Sequence, residues 1–226
     1  MSLTLAPPRT PALPSNTIRQ RPVEMHPPRL PTLAELASTG KEMRIKMPLE
    51  QWWDYPFEGK SEWADGEAIL MPPPTVRRQL IGKRLGRAMD RDLVGVESVG
   101  GSGLRAGDRI REPDVMLVEP HQVDAPIVTG VPRLVVEIVS PSSRESDRST
   151  KAREYLDIGI PQYWLVDPVN ETIEVLRSDG GVRWQRAAFL DPGHPVAVIE
   201  VAGHGAVTLR HAEIFPLTTT ATGRPS

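Results

Sequence analysis

Apolar residues recur with helical spacing in the stretch from Val76 to Leu93. They fall on one face of a helix: Val76, Leu80, Ile81, Leu85, Met89 and Leu93. Basic residues occupy the other positions: Arg77, Arg78, Lys83, Arg84, Arg87 and Arg91. The pattern predicts an amphipathic helix with a basic outer side. That side is either an ordinary solvated face or a surface that contacts phosphate groups.

Shorter patterns predict a mixed set of elements around this helix. Helical signals occur at residues 32–39, 48–55 and 146–159, the last with Ser146 or Asp147 as N-cap and Gly159 just past its end. Extended patterns occur at residues 61–71, 94–99, 111–119, 133–140, 161–167, 172–178, 182–189 and 206–209. Hairpin turns are predicted at Asp65-Gly66 and over residues 168–171. This order predicts an α/β fold with a mixed central β-sheet flanked by helices.

Prolines are concentrated at the N-terminus, where residues 1–31 hold eight of the 24 in the chain. Proline at that density opposes both helix and interior strand, which predicts a disordered N-terminal tail. The remaining patterns predict one domain over residues 32–217. The Thr-, Gly- and Pro-rich residues 218–226 are predicted to fray.

Composition narrows the functional classes. The 226 residues include no cysteine, which excludes disulfides, thiolate metal sites and cysteine nucleophiles. A net charge of -2 argues against a protein that coats DNA by bulk charge alone. No apolar run reaches about 18 residues, so no membrane partner is expected. The N-terminus lacks a signal-peptide pattern, and the expected location is therefore cytoplasmic.

Three ionisable residues stand at positions that a purely structural core would avoid. Asp114 heads one apolar strand, Glu137 interrupts another, and Lys151 lies on the next helix with Asp147 and Tyr155 at helical spacing. Two carboxylates on neighbouring strands repel each other unless they share a proton or bind a divalent cation such as Mg²⁺ or Mn²⁺. A lysine beside them could orient water or stabilise charge on a phosphate.

Each of these residues also has a structural interpretation. Glu137 could form a buried ion pair with Lys151 or an arginine, without chemistry. Asp114, after a proline, could be a turn residue, and Lys151 could be a solvated lysine paired with Asp147. Tyr155 is expected to pack in the core. The spacing of Asp114 and Glu137 favours a common site, because it matches two neighbouring strands joined by one loop.

Several stretches resemble a known family. Pro113-Asp114 followed by Glu137 resembles the core motif of PD-(D/E)XK nucleases. The longer stretches at residues 61–74, 111–118, 133–168 and 211–215 are similar to the Uma-two family of restriction endonuclease-like proteins, once classed as a domain of unknown function. These stretches lie within residues 48–215. The resemblance implies a PD-(D/E)XK restriction-endonuclease-like core and a protein that forms homodimers.

The resemblance also implies site roles. Asp114 and Glu137 are the implied metal ligands, and an acidic residue of the early hairpin, Glu62 in preference to Glu67, could reach the same metal.

Two positions depart from the family pattern. The motif would place lysine at Val139, and Lys151 on the following helix is the expected replacement. Many relatives have histidine where this chain has Arg78, and arginine can hold a phosphate but is not a general base.

Three functions fit these observations. The first is a Mg²⁺-dependent endonuclease, with Mn²⁺ as a substitute, that hydrolyses phosphodiester bonds of DNA. Asp114, Glu137 and Glu62 would hold the metal, with help from the Ile138 carbonyl, and Lys151 would orient the attacking water. The predicted contacts to the nucleic-acid backbone are Arg77, Arg78, Arg87 and Arg148.

The alternatives keep the fold but change the activity. One is a nucleic-acid-binding or assembly module with reduced catalysis, which the acidic balance and the displaced lysine favour. The other is a metal-dependent hydrolase of a different phosphoester. The five histidines form no HExxH or HxH pattern, and the chain has no P-loop or GxSxG motif, which argues against zinc, nucleotide-loop and serine-hydrolase chemistry.

Overall fold

The computed structural model of the chain describes residues 29–55, 57–141 and 143–215. Residues 1–28 of the predicted tail and the predicted frayed end at 218–226 lie outside these ranges. The division into a tail and a single domain therefore stays a prediction. No helix in the described ranges is long and apolar enough to cross a membrane.

The described residues form six α-helices, fourteen strands and one short 3-10 helix at Pro120–Gln122. The helices are α1 (Leu33–Thr39), α2 (Leu49–Asp54), α3 (Val76–Asp92), α4 (Arg144–Arg148), α5 (Thr150–Asp157) and α6 (His211–Ile214). The first seven strands are β1 (Met43–Lys46), β2 (Ser61–Ala64), β3 (Glu67–Leu70), β4 (Glu97–Val99), β5 (Gly103–Ala106), β6 (Arg109–Arg111) and β7 (Val115–Val118). The others are β8 (Ile127–Val128), β9 (Leu134–Ile138), β10 (Gln162–Asp167), β11 (Thr172–Ser178), β12 (Trp184–Leu190), β13 (Val196–Val201) and β14 (Gly205–Arg210).

The strands form two six-stranded sheets and a separate hairpin. One sheet has the order β1-β3-β2-β6-β5-β8, the other the order β12-β11-β10-β9-β7-β4, and β13 pairs with β14. In the second sheet β9 and β10 are parallel, with α4 and α5 as the crossover between them, whereas β7 and β9 are antiparallel. The predicted mixed α/β class is thus confirmed, and its strands are divided between two six-stranded sheets and one hairpin.

The second sheet carries an apolar cluster on each face. Alternate residues of β9 face opposite ways, so that Val136 and Ile138 join one cluster and Val135 joins the other. The first cluster includes the buried side of α3, and the second includes Tyr155 of α5. Glu137 therefore points to the α5 side of the sheet, where it meets the residues of that helix.

The amphipathic helix is confirmed, except at its start. Ile81, Leu85 and Met89 are buried as predicted, but Val76 and Leu80 are 72% and 38% exposed. Val76 and Leu80 belong to neither apolar cluster, so the predicted apolar face is only partly covered at this end of α3.

The predicted helix at 146–159 is two helices. The chain breaks at Ser149, whose φ and ψ of -122° and -70° are not helical, and α4 and α5 lie on either side. The prediction of Asp147 or Ser146 as N-cap is wrong, since both lie within α4 and Asp147 is fully buried. Gly159 has the predicted left-handed conformation, with φ of 84°.

Candidate active site

Asp114 and Glu137 lie side by side on adjacent strands. Pro113 cannot donate to a ladder, so the predicted strand at 111–119 divides into β6 and β7, and Asp114 heads β7. The Asp114 amide donates to the Val136 carbonyl at 3.1 Å, and the Ile138 amide donates to Asp114 Oδ2 at 2.7 Å. These bonds fix the aspartate against β9, one residue on either side of Glu137.

The two oxygens of Glu137 have different surroundings. Oε1 accepts hydrogen bonds from Lys151 Nζ at 3.1 Å and from the Tyr155 hydroxyl at 2.8 Å. Oε2 is buried without a hydrogen bond among the described residues, and Lys60 Nζ is 4.0 Å from it. Burial raises the pKa of Glu137 to about 7, although Lys151 and Lys60 act in the opposite direction.

Lys151 lies in direct contact with Glu137, a point that the sequence had left open. Its ammonium is also 2.8 Å from Glu62 Oε1 and 3.5 Å from Asp147 Oδ1. The side chain is only 3% exposed, which rules out the interpretation as a solvated helix lysine. Burial lowers the pKa of Lys151, but Glu137, Glu62 and Asp147 outweigh burial and keep that pKa well above its ordinary value.

Glu62 lies in this cluster, and both of its carboxylate oxygens already accept hydrogen bonds. Its Oε1 accepts from Lys151 and from the Glu112 amide, and its Oε2 accepts from Arg111 at 2.9 Å. Burial raises the pKa of Glu62, but the lysines and Arg111 outweigh it and lower that pKa to about 2. Glu67 lies elsewhere, 3.7 Å from Arg44. Glu62 as a third metal ligand stays a prediction.

Two cations that the sequence interpretation did not place at the metal site bind Asp114. Lys60 Nζ lies 3.1 Å from Oδ1, and Arg78 Nη2 lies 2.6 Å from Oδ2. Burial raises the pKa of Asp114, but Lys60 and Arg78 outweigh it and lower the pKa to about 2. Lys60 was missed, although it precedes Glu62 by two residues and so falls on the same side of an extended chain.

Behind the site, a buried ion pair connects β6 to α5. The Arg111 guanidinium donates two hydrogen bonds to Glu154, both at 2.7 Å, and a third to Glu62. Such fork-to-fork geometry gives strong, directional pairing. This pair was also missed, and it links the sheet that carries Glu62 to the helix that carries Lys151.

A cleft of about 1220 Å³ opens in front of Asp114. Lys60 and the first three turns of α3 line it, including three of the four arginines predicted to contact nucleic acid, namely Arg77, Arg78 and Arg87. Arg77 is paired with Glu171 at 2.5 Å. The fourth, Arg148, is not among the lining residues and lies 3.3 Å from Glu174.

The carboxylates fit a hard divalent cation with few protein ligands. Among the described residues, no group of three or more His, Cys, Asp or Glu side chains is arranged to hold a metal. Mg²⁺, however, is commonly held by one or two carboxylates, with water or substrate oxygens completing its shell. Asp114 and Glu137 supply such a pair, and Glu137 Oε2 is a buried acceptor to which no described residue donates a hydrogen bond.

The described residues combine a mixed α/β fold with two carboxylates that lie side by side on adjacent strands. A family model described as "Uma2: Putative restriction endonuclease" matches residues 49–208. The chain belongs to the Uma2 family, and this membership supports a nuclease function with a nucleic-acid substrate.

The fold is shared with a solved structure. It is described as a "putative nuclease belonging to DUF820" from Anabaena variabilis ATCC 29413. It is 22% identical, with a TM-score of 0.56, and the match covers 68% of this chain and 88% of that one. The comparison with curated proteins gave no match.

Proposed function

We propose that the protein is a Mg²⁺-dependent endonuclease that hydrolyses phosphodiester bonds of DNA, with Mn²⁺ as a substitute metal. The observation that carries this proposal is that Asp114, in the lining of a cleft with a basic wall, stands beside the buried Glu137 of the adjacent strand. Family membership supports the same class of reaction. Cytoplasmic location and association as a homodimer belong to the proposal through the sequence arguments alone.

The carboxylates and cations have separate parts in this reaction. Asp114 and Glu137 would hold the metal, which supplies a Lewis acid for the phosphate and an acidified water. The Ile138 carbonyl is a further candidate oxygen, because the amide of the same residue already points toward Asp114. Lys151 keeps Glu137 in place through its 3.1 Å contact.

The reaction breaks one ester bond of the DNA backbone. A water oxygen forms a bond to phosphorus, and the bond between phosphorus and the leaving sugar oxygen breaks. The attacking water loses a proton to solvent, and the leaving oxygen gains one from solvent. Arg78 and Arg87 on the cleft wall would hold phosphate oxygens without reading sequence.

The test is cleavage of duplex and single-stranded DNA and of RNA by the pure protein with Mg²⁺, Mn²⁺ or EDTA. We expect cleavage of DNA with metal only. Asp114→Asn and Glu137→Gln should each lower it by about a hundredfold or more, as loss of a transition-state electrostatic contact does. Glu67→Gln is the matched control, since Glu67 lies outside the cluster. Full activity in Glu137→Gln would contradict the assigned site.

A second function has one observation in its favour. Asp114, Glu62 and Glu137 each have a lysine or arginine within 4.0 Å, so the cluster is stabilised by its own cations. That arrangement suits a nucleic-acid-binding or assembly module with reduced catalysis. Metal binding separates the two functions, because a ligand that binds only the folded state raises the melting temperature. No rise with millimolar Mn²⁺ would favour the binding module.

A further inference from the structure

Two lysines flank Glu137, and they differ in access to the cleft. Lys151 is 3% exposed and lies against Glu62, Glu137 and Asp147. Lys60 is 13% exposed and belongs to the cleft lining together with Asp114. A phosphate in the cleft could therefore reach the ammonium of Lys60 but not that of Lys151.

The two carboxylate oxygens of Glu137 face the two lysines separately. Its Oε1 faces the buried side, where Lys151 and Tyr155 donate to it. Its Oε2 accepts no hydrogen bond within the described part of the chain and lies toward Lys60, which also contacts Asp114 Oδ1. Lys151 therefore contacts the carboxylate on its buried side, and Lys60 lies on the side nearer the cleft.

Movement of the two side chains has unequal consequences. If Lys151 left its place, Glu62, Glu137 and Asp147 would all lose their shared cation. If Lys60 turned into the cleft, Asp114 would keep its bonds to Arg78 and to the Ile138 amide. The flexible four-carbon stem of lysine allows such a turn.

We propose that Lys60, and not Lys151, is the lysine that contacts the substrate phosphate, and that Lys151 is a positioning residue for Glu137 and Glu62. The inference rests on the proposed function. Lys60 would donate a hydrogen bond to a non-bridging phosphate oxygen and so stabilise the charge that develops there. No proton or covalent bond is transferred to the lysine in this role.

The absence of cysteine from the chain provides a direct test, because Lys60→Cys and Lys151→Cys each introduce a single thiol. Treatment with 2-bromoethylamine then rebuilds a lysine-like ammonium at that position. The matched control is Lys46→Cys on β1, which is exposed and not part of the cleft lining. Alkylation is followed by mass spectrometry, with and without duplex DNA in EDTA, and cleavage is measured before and after.

The inference predicts a specific set of results. The Lys60→Cys thiol should react in the folded protein, and DNA should slow its reaction about tenfold or more while leaving the control thiol unaffected. Cleavage by Lys60→Cys should fall about a hundredfold, mainly in kcat, and return after alkylation. The Lys151→Cys thiol should react only after unfolding.

Two outcomes would overturn it: activity of unmodified Lys60→Cys equal to the parent, or alkylation of that thiol at the same rate with and without DNA. A purely structural role for Lys60 would shift the urea midpoint and give no protection by DNA. If the parent cleaves no nucleic acid, the proposed function fails, yet DNA protection of the thiol still decides whether Lys60 faces a bound phosphate backbone.

Discussion

Replacement of Lys151 by methionine should be among the most destabilising single changes in this chain. The variant keeps the length of the side chain but removes the ammonium that lies 2.8 Å from Glu62 and 3.1 Å from Glu137. Both carboxylates are buried, so solvent cannot replace the lost partner. Removal of one member of a buried ion pair typically costs about 3–5 kcal/mol, because the remaining charge is left uncompensated.

The measurement is urea unfolding at pH 7.5 in EDTA, followed by circular dichroism. The control is Arg153→Met on the same helix, whose ion pair with Asp157 at 3.1 Å is solvent-exposed, with the arginine side chain 77% accessible. Exposed pairs contribute about 0–1 kcal/mol, so the control should unfold close to the parent. Comparison of the two variants distinguishes the effect of losing a buried ion pair from the effect of losing any positive charge on α5.

A companion double variant tests the cause. Lys151→Met with Glu137→Gln removes the ammonium and also one carboxylate that depends on it. It should recover part of the lost stability, because the glutamine carries no charge to bury. The reasoning would be refuted if Lys151→Met cost no more than about 1 kcal/mol beyond Arg153→Met, because that is the range of exposed ion pairs. It would mean that the carboxylates find other partners or protons.

Two further predictions concern pH and a turn. The pKa of Glu137 is raised from 4.5 to about 7, so its contribution to stability is complete below pH 4.5 and is lost as pH rises toward 7. The unfolding free energy of the parent relative to Glu137→Gln, measured in EDTA, should therefore decrease from pH 4.5 to 7.5, and a constant difference would contradict this. Gly66→Ala should lower the free energy of unfolding by roughly 1 kcal/mol. The φ of Gly66 is 81° and no described atom lies within 4 Å of the added Cβ, so only backbone strain opposes the change. An unchanged urea midpoint would show that the turn relaxes.

Features encoded by neighbouring residues were predictable from the sequence. The helix from Val76 follows from a repeat within four residues, and the Asp65-Gly66 turn follows from two residues that tolerate positive φ, observed at 55° and 81°. The pairing of Asp114 with Glu137 was also predictable, because one loop joins two strong apolar strands. These predictions used only the spacing of neighbouring residues and the assumption that one loop joins two adjacent strands.

The remaining features depend on contacts between distant parts of the chain. Lys151 meets Glu62 across 89 residues and Arg111 meets Glu154 across 43, and neither distance leaves a periodic signal. The same limit applies to β5 and β13, which were not predicted and which are held as strands by their partners. The break at Ser149 lacks a proline or glycine, so helix propensity alone could not locate it.

Val139 explains why the displaced lysine can occupy its position without loss of packing. Val139 is 4% exposed and belongs to the apolar cluster that contains Tyr155 and Ala152 of α5. A valine there allows α5 to pack against the end of β9, and this packing places Lys151 and Tyr155 of α5 next to Glu137. The buried ammonium beside Glu137 therefore comes from the helix and not from the strand. Glu137 itself is fully buried, and Lys60 is the lysine among the cleft-lining residues that contacts Asp114.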